Sequence, residues 1–150
     1  DQRFDYSVLG DGVNLASRLE GQSKTYGVPV VIGEDTKKQA SDYACIELDL
    51  IQVKGQTRPT RIFGLLGDQA AASTGEFVAY QKRHDELLLA YRAQKWDEAS
   101  IILKECRDLC VDWGSVGLYN LLDERIQEYR VNPPADEEGN WDGVYIATSK

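Results

Sequence analysis

The chain has 150 residues, of which 42% are hydrophobic and 28% charged, with a formal net charge of −8. That length holds one ordinary domain or two small ones, and the composition is that of a soluble globular protein. Residues 1–67 carry 8 Lys/Arg against 9 Asp/Glu, whereas residues 68–150 carry 9 against 16. So acidic a C-terminal part repels nucleic acid and anionic lipid, which argues against either as a partner. No apolar run approaches the roughly 20 residues that span a bilayer, and the first residues are not expected to act as a signal peptide.

The first element is carried by Arg3–Glu20, RFDYSVLGDGVNLASRLE. Phe4, Tyr6 and Val8 alternate with Asp5 and Ser7, the period of a half-buried strand. Gly10 breaks that period, and Asp11 stands as a helix N-cap whose carboxylate accepts a free N–H of the first turn. From Gly12 the period becomes helical: Leu15, Leu19 and Tyr26 fall on one side, and Asn14 and Arg18, at i and i+4, project together from roughly the opposite one. Spacing alone leaves two readings open, a solvated face or an amide and a guanidinium presented to a polar ligand.

That helix is expected to stop at Gly27, with Pro29 forbidding continuation. Val28–Ile32 reads as a buried strand, Glu34–Ala40 as a short helix, and Ala44–Val53 as an alternating strand ending in the turn Lys54-Gly55-Gln56. Pro59 marks an edge or strand start, and Arg61–Leu66 makes the last strand of this part. The small polar stretch GDQAAASTG places a linker at 68–76.

Beyond it the pattern is helical. Phe77, Tyr80, His84, Leu87, Leu88 and Tyr91 repeat at i, i+3, i+4, i+7, and Trp96, Ala99, Ile102, Leu103, Cys106 and Leu109 form a second stripe. These two helices (AYRAQKWDEA, then SIILKEC) resemble one degenerate tetratricopeptide-like hairpin. A third helix, about Val116–Tyr129, ends at Asn132-Pro133-Pro134. His84, the only histidine, sits on an amphipathic helix with no second ligand in the pattern and reads as a packing or boundary residue rather than a catalytic one. Three cysteines, Cys45, Cys106 and Cys110, make no set of pairs, which points to a reducing compartment; Cys106 and Cys110, at i and i+4, read as buried small hydrophobes in preference to a metal or redox pair. NWDGVYIATSK predicts an extended arm docked on the helices, since a free terminus would leave Trp141 exposed.

The run DYSVLGDGVNLASRLE resembles the catalytic-helix signature of class III nucleotidyl cyclases, the adenylate and guanylate cyclases: an aromatic strand, Gly-Asp, then Val-Asn-x-Ala-Ser-Arg. Trp-Asp-Gly-Val endings after a helical extension also occur in bacterial members. The resemblance implies an α+β fold, the C-terminal half of a ferredoxin-like cyclase domain over 1–67, followed by an all-α hairpin extension over 77–131 and an extended arm over 132–150. It implies conversion of ATP to 3′,5′-cyclic AMP and pyrophosphate at a homodimer interface. There Arg18 is the transition-state arginine, Asn14 orients the ribose, Lys54 binds the terminal phosphates, and Ser7 stands at the base-recognition position. A guanidinium suits its role because it is planar, permanently charged and bidentate toward phosphate, and an orienting amide adds no charge.

By the same resemblance Ser7 follows the class IIIb adenylate cyclases; a guanylate cyclase fragment is the enzymatic alternative, disfavoured because that branch usually carries Cys there. The family's two Mg²⁺ or Mn²⁺ ions are held by aspartates in the first half of the domain, which this sequence does not match. The expectation is therefore a cytoplasmic C-terminal fragment with no metal ligand of its own, inactive alone, whose parent is anchored through an upstream region if it is anchored at all. Asp5 and Asp11 are not substitutes for those ligands, the one on a strand face and the other a cap. A non-enzymatic alternative is an interaction module whose helical hairpin binds a protein partner.

Overall fold

The computed structural model describes residues 22–52 and 57–146. They form an α+β fold, as the sequence pattern predicts. The first part runs α1 (Gln22–Tyr26), β1 (Val31–Gly33), α2 (Glu34–Gln39), β2 (Ala44–Gln52) and β3 (Thr60–Gly67). The second runs α3 (Gln69–Ala72), α4 (Gly75–Arg92), α5 (Trp96–Leu109), a 3₁₀ turn (Val111–Trp113), α6 (Val116–Val131) and β4 (Tyr145–Ile146).

α1 ends where the sequence expects. Gly27 takes φ +63°, the left-handed conformation that glycine adopts without a Cβ penalty. A side chain there is excluded twice over, because a Cβ on Gly27 would stand 2.5 Å from the Cα of Gly117 on α6. The strand expected at Val28–Ile32 starts later, at Val31. Pro29 has no N–H to give a ladder, although the Val30 carbonyl still accepts from Leu65 N at 3.0 Å.

The sheet order is β1-β3-β2-β4. β1 and β2 each pair antiparallel with β3, while β4 pairs parallel with β2 through Ile51↔Tyr145 and Gln52↔Ile146. The β2–β3 register runs Glu47↔Phe63 and then Asp49↔Ile62, skipping Leu48. This bulge shifts the side-chain alternation by one. Ile46 and Leu48 lie in the main core before it and Ile51 after it, so Asp49 is turned toward the helices and is 1% exposed.

α4 packs on β2, α5 packs on α4 and α6, and α6 reaches β2 through Arg125 and Asp49. Phe77, Tyr80, Leu87, Leu103, Leu118 and Leu122 share a single core with Ile46, Leu48, Ile51 and Ile62, each fully buried side chain being worth roughly 1.5–3 kcal/mol relative to exposure. A smaller cluster of Val30, Ile32, Cys45 and Leu65 forms a second core, with Lys37 of α2 over the Phe63 ring of the same cluster at 5.7 Å.

The interval expected as linker, 68–76, contains α3 and the start of α4. Asp68 Oδ1 accepts from Ala71 N at 2.9 Å and Thr74 Oγ1 from Phe77 N at 3.2 Å. Both are N-caps that turn a small, polar stretch into two helix starts. The C-terminal arm does dock on the helices: Trp141 packs among Tyr91, Trp96 and Tyr129 with ring centroids 5.4–6.3 Å away. It also joins the sheet as β4, which periodicity does not reveal.

All three cysteines are free and buried. Burial pushes the Cys45 thiol up to about 11 and the Cys106 thiol up to about 12. Among the described residues no helix is long and apolar enough to cross a membrane.

Candidate functional site

Ser7, Asn14, Arg18 and Lys54, the residues that the cyclase resemblance singles out, lie outside the described residues. What is described is the framework on either side of them in the chain. α1 begins four residues after Arg18, and β2 ends two residues before Lys54. Both elements meet at one buried charged cluster.

At its centre is Arg125 of α6, with a side chain only 7% exposed. Its Nη1 donates to Asp49 Oδ2 at 2.5 Å and its Nη2 to the Tyr26 hydroxyl oxygen at 3.2 Å. Tyr26 in turn donates its O–H to Asp49 Oδ2 at 2.6 Å. Asp49 Oδ1 accepts from Leu50 N at 2.9 Å, so both carboxylate oxygens are occupied. The guanidinium carbon lies 3.7 Å from the centroid of the Tyr145 ring on β4, a desolvated cation–π contact. Burial works against the charge on Arg125, but Asp49, Tyr26 and Tyr91 more than offset it and raise its pKa. Burial, followed by the Asp49 charge, holds the Tyr26 phenol protonated far above its ordinary range. The cluster joins four elements from both parts of the chain: α1, β2, α6 and β4.

A second buried cluster is neutral. His84 of α4 is fully buried, as its amphipathic helix predicts. Its Nε2 lies 2.5 Å from the Glu47 carbonyl oxygen, which can only accept, so Nε2 carries the proton. Nδ1 then accepts from the Tyr119 hydroxyl at 2.9 Å, and Tyr80 and Ser115 continue the chain at 2.8 and 2.7 Å. Burial holds the imidazole pKa down at about 4, against the hydrogen bond to Glu47. His84 is neutral near pH 7 and closed to solvent. It is a structural residue rather than a general base open to substrate.

The Glu47 carboxylate is held by Arg61 at 2.5 Å and Arg92 at 2.6 Å. With Asp49 already bound to Arg125, the two acidic side chains of β2 are both taken by arginines. Among the described residues no group of three or more His, Cys, Asp or Glu is placed to share a metal ion. These residues do not fit the paired cations that nucleotide cyclisation uses. An open cleft of about 790 Å³ lies along the arm, lined by Gln52, Tyr129, Trp141 and Tyr145, with Asp136 and Asp142 among its walls. Those carboxylates set the cleft against a triphosphate.

Two curated proteins are similar to part of this chain. Adenylate cyclase 1 of Rhizobium meliloti (strain 1021) is 34% identical over 76 residues, half of this chain and 11% of that protein. An adenylate cyclase of Anabaena cylindrica is 38% identical over 65 residues, 41% of this chain and 13% of that protein. The chain thus spans little more than a tenth of the length of these relatives. No family model matches it, and no solved structure does. The two matches relate this chain, over part of its length, to adenylate cyclases.

Proposed function

We propose that this chain is the C-terminal part of the catalytic domain of a class III adenylate cyclase, with a helical extension and terminal arm that pack against it. The reading rests on the unbroken run DYSVLGDGVNLASRLE and is supported by the two partial relatives named adenylate cyclase. ATP is the substrate. Its ribose 3′-oxygen forms the new bond to the α-phosphorus as the bond to pyrophosphate breaks, giving 3′,5′-cyclic AMP.

In this reading Arg18 offers its guanidinium to the α-phosphate, where negative charge grows in the transition state. Asn14 fixes the ribose so that the attacking oxygen is already aligned, a large share of the barrier reduction. Lys54 holds the terminal phosphates, and Ser7 hydrogen-bonds the edge of the base. Two Mg²⁺ or Mn²⁺ ions accompany the substrate, held by carboxylates outside this sequence, and the active centre is completed in a homodimer. The 150-residue chain by itself is inactive.

Apart from Leu109, the hairpin's apolar stripe packs into the core shared with the sheet and α6, which favours this reading over a free protein-binding module. The test is made in full-length protein, with cyclic nucleotide formed from ATP and from GTP measured in Mg²⁺ or Mn²⁺. Arg18→Ala is expected to lower kcat by about two decades or more, the order for removing a transition-state charge. An unchanged rate removes the assignment, and preference for GTP moves the chain to the guanylate branch.

A further inference from the structure

The arm walls the open cleft of about 790 Å³ with aromatic rings. Tyr129 of α6 and Trp141 and Tyr145 of the arm line it, all three half-buried. The indole is fixed from two directions: its Nε1 donates to the Val144 carbonyl at 3.2 Å, and its ring meets that of Tyr129 edge-on with centroids 5.5 Å apart. One of these rings already holds a cation on one side. The Arg125 guanidinium carbon lies 3.7 Å from the Tyr145 centroid, with its charge answered by Asp49. Two carboxylates, Asp136 and Asp142, stand on the same walls. Asp136 Oδ1 accepts from Glu138 N and Asn140 N at 3.0 and 2.8 Å, and Asp142 Oδ1 from Val144 N at 3.0 Å. Each thus holds its turn with Oδ1, while among the described residues no group donates to Oδ2 of either. No described Lys or Arg lines the cleft.

We propose that this cleft is a binding site for an organic cation, a guanidinium or alkylammonium group carried by a small amine or by a basic side chain. Aromatic faces attract a cation through their quadrupole, and the two carboxylates add Coulomb attraction at the mouth. An anion meets repulsion from the same carboxylates. A neutral apolar ligand gains only from the rings and takes water from the carboxylates without replacing it. A bare metal ion finds no ligand set, since no group of three or more His, Cys, Asp or Glu among the described residues is placed to share one. The volume is that of a site for an extended organic molecule. Docking of the arm builds the site, because Trp141, Tyr145 and both carboxylates belong to it. The site stands apart from the cyclase chemistry, and neither assignment depends on the other.

The 150-residue chain is titrated with spermidine and with N-acetyl-arginine methylamide, and the indole N–H of Trp141 is followed by NMR. N-acetyl-leucine methylamide and sulfate are the uncharged and anionic controls. Saturable shifts at Trp141 are expected with the cations and none with the controls, and added salt should weaken the binding. Whichever cation binds more tightly tells a free polyamine from a side chain of a peptide. Changing Asp136→Asn together with Asp142→Asn keeps both Oδ1 acceptors, and with them both turns, and should weaken binding about 5- to 10-fold. Tyr145→Leu keeps an apolar cover on Arg125 and should weaken it about 3-fold. Asp112→Asn removes a charge outside the cleft and should leave binding as it was. If neither cation shifts Trp141 at millimolar concentration, or the double variant binds as tightly as the wild type, the cation site is overturned. An equal loss in Asp112→Asn overturns it as well, by showing that only net charge was felt.

Discussion

Two buried polar clusters tie the helical extension to the same strand, and they do so by opposite chemistry. Around Asp49 the extension uses a full charge pair, with Arg125 and Tyr26 occupying the carboxylate and Tyr145 covering the guanidinium. Around the Glu47 carbonyl, two turns of α4 and one residue of α6 use only neutral groups, His84, Tyr80 and Tyr119, with Ser115 at the far end. A neutral chain can lose a link and leave a hydroxyl or an imidazole unpaired. A charged cluster that loses one partner leaves an ion in a medium that solvates it badly. The difference teaches where the molecule is brittle.

Removing the cation tests that contrast most severely. Arg125→Met should cost about 3–5 kcal/mol, because the Asp49 charge stays buried without a counter-charge, leaving only the neutral donors Tyr26 and Leu50. The paired change Asp49→Asn with Arg125→Met should recover most of that loss, and urea unfolding of the three proteins measures it. If the single change costs no more than the pair, the cluster is not held by charge and the contrast is broken.

Acid should act next, and on the neutral cluster. Outside the fold His84 takes up a proton near 6.5, and inside it near 4. The unfolded chain therefore binds more protons between those values. The stability that comes from keeping the ring neutral is complete above pH 6.5, shrinks as pH falls toward 4, and changes no further below that. Over this window the loss is about 3 kcal/mol. Unfolding free energy measured against pH should show it, and His84→Gln should flatten that part of the curve.

Tyr119→Phe sharpens the comparison from the other side. It removes one hydroxyl and leaves His84 Nδ1 and the Tyr80 hydroxyl each short of a partner, for a cost of about 1–3 kcal/mol by chemical denaturation. Smallest is Thr74→Ala, which deletes the N-cap of α4 outside both clusters. A loss of about 1 kcal/mol in the same measurement sets the scale for a contact involving neither charge nor burial.

Much of the framework is legible in the residues. Gly27 with Pro29 beyond it marks the end of α1, and the 3.6-residue stripe from Phe77 to Tyr91 marks α4, because both signals are local. The N-caps Asp68 and Thr74 are local too, and a reading that weighs only the small polar character of GDQAAASTG passes over them. The charged cluster was not legible. Strict alternation along ACIELDLIQV puts Asp49 on the same side as Glu47, and nothing in the sequence announces the bulge at Leu48. Arg125 looks like one more basic residue on an amphipathic helix, and Tyr145 like part of an arm with no assigned neighbour. The candidate site residues Ser7, Asn14, Arg18 and Lys54 were legible for another reason: the motif is contiguous and chemically unusual.

The sequence by itself determined the α+β succession, the helix ends at glycine and proline, and the run that relates the chain to nucleotide cyclases. Each depends on residues within a turn or two of one another. Only the tertiary structure decided that the extension and the first part share one core, that the arm becomes a fourth strand, and that Tyr26, Asp49, Arg125 and Tyr145 converge. Those facts depend on residues up to 99 positions apart in the Tyr26–Arg125 hydrogen bond. Such pairings are chosen by packing and by the need of a buried charge for a partner, neither of which leaves a periodic trace along the chain.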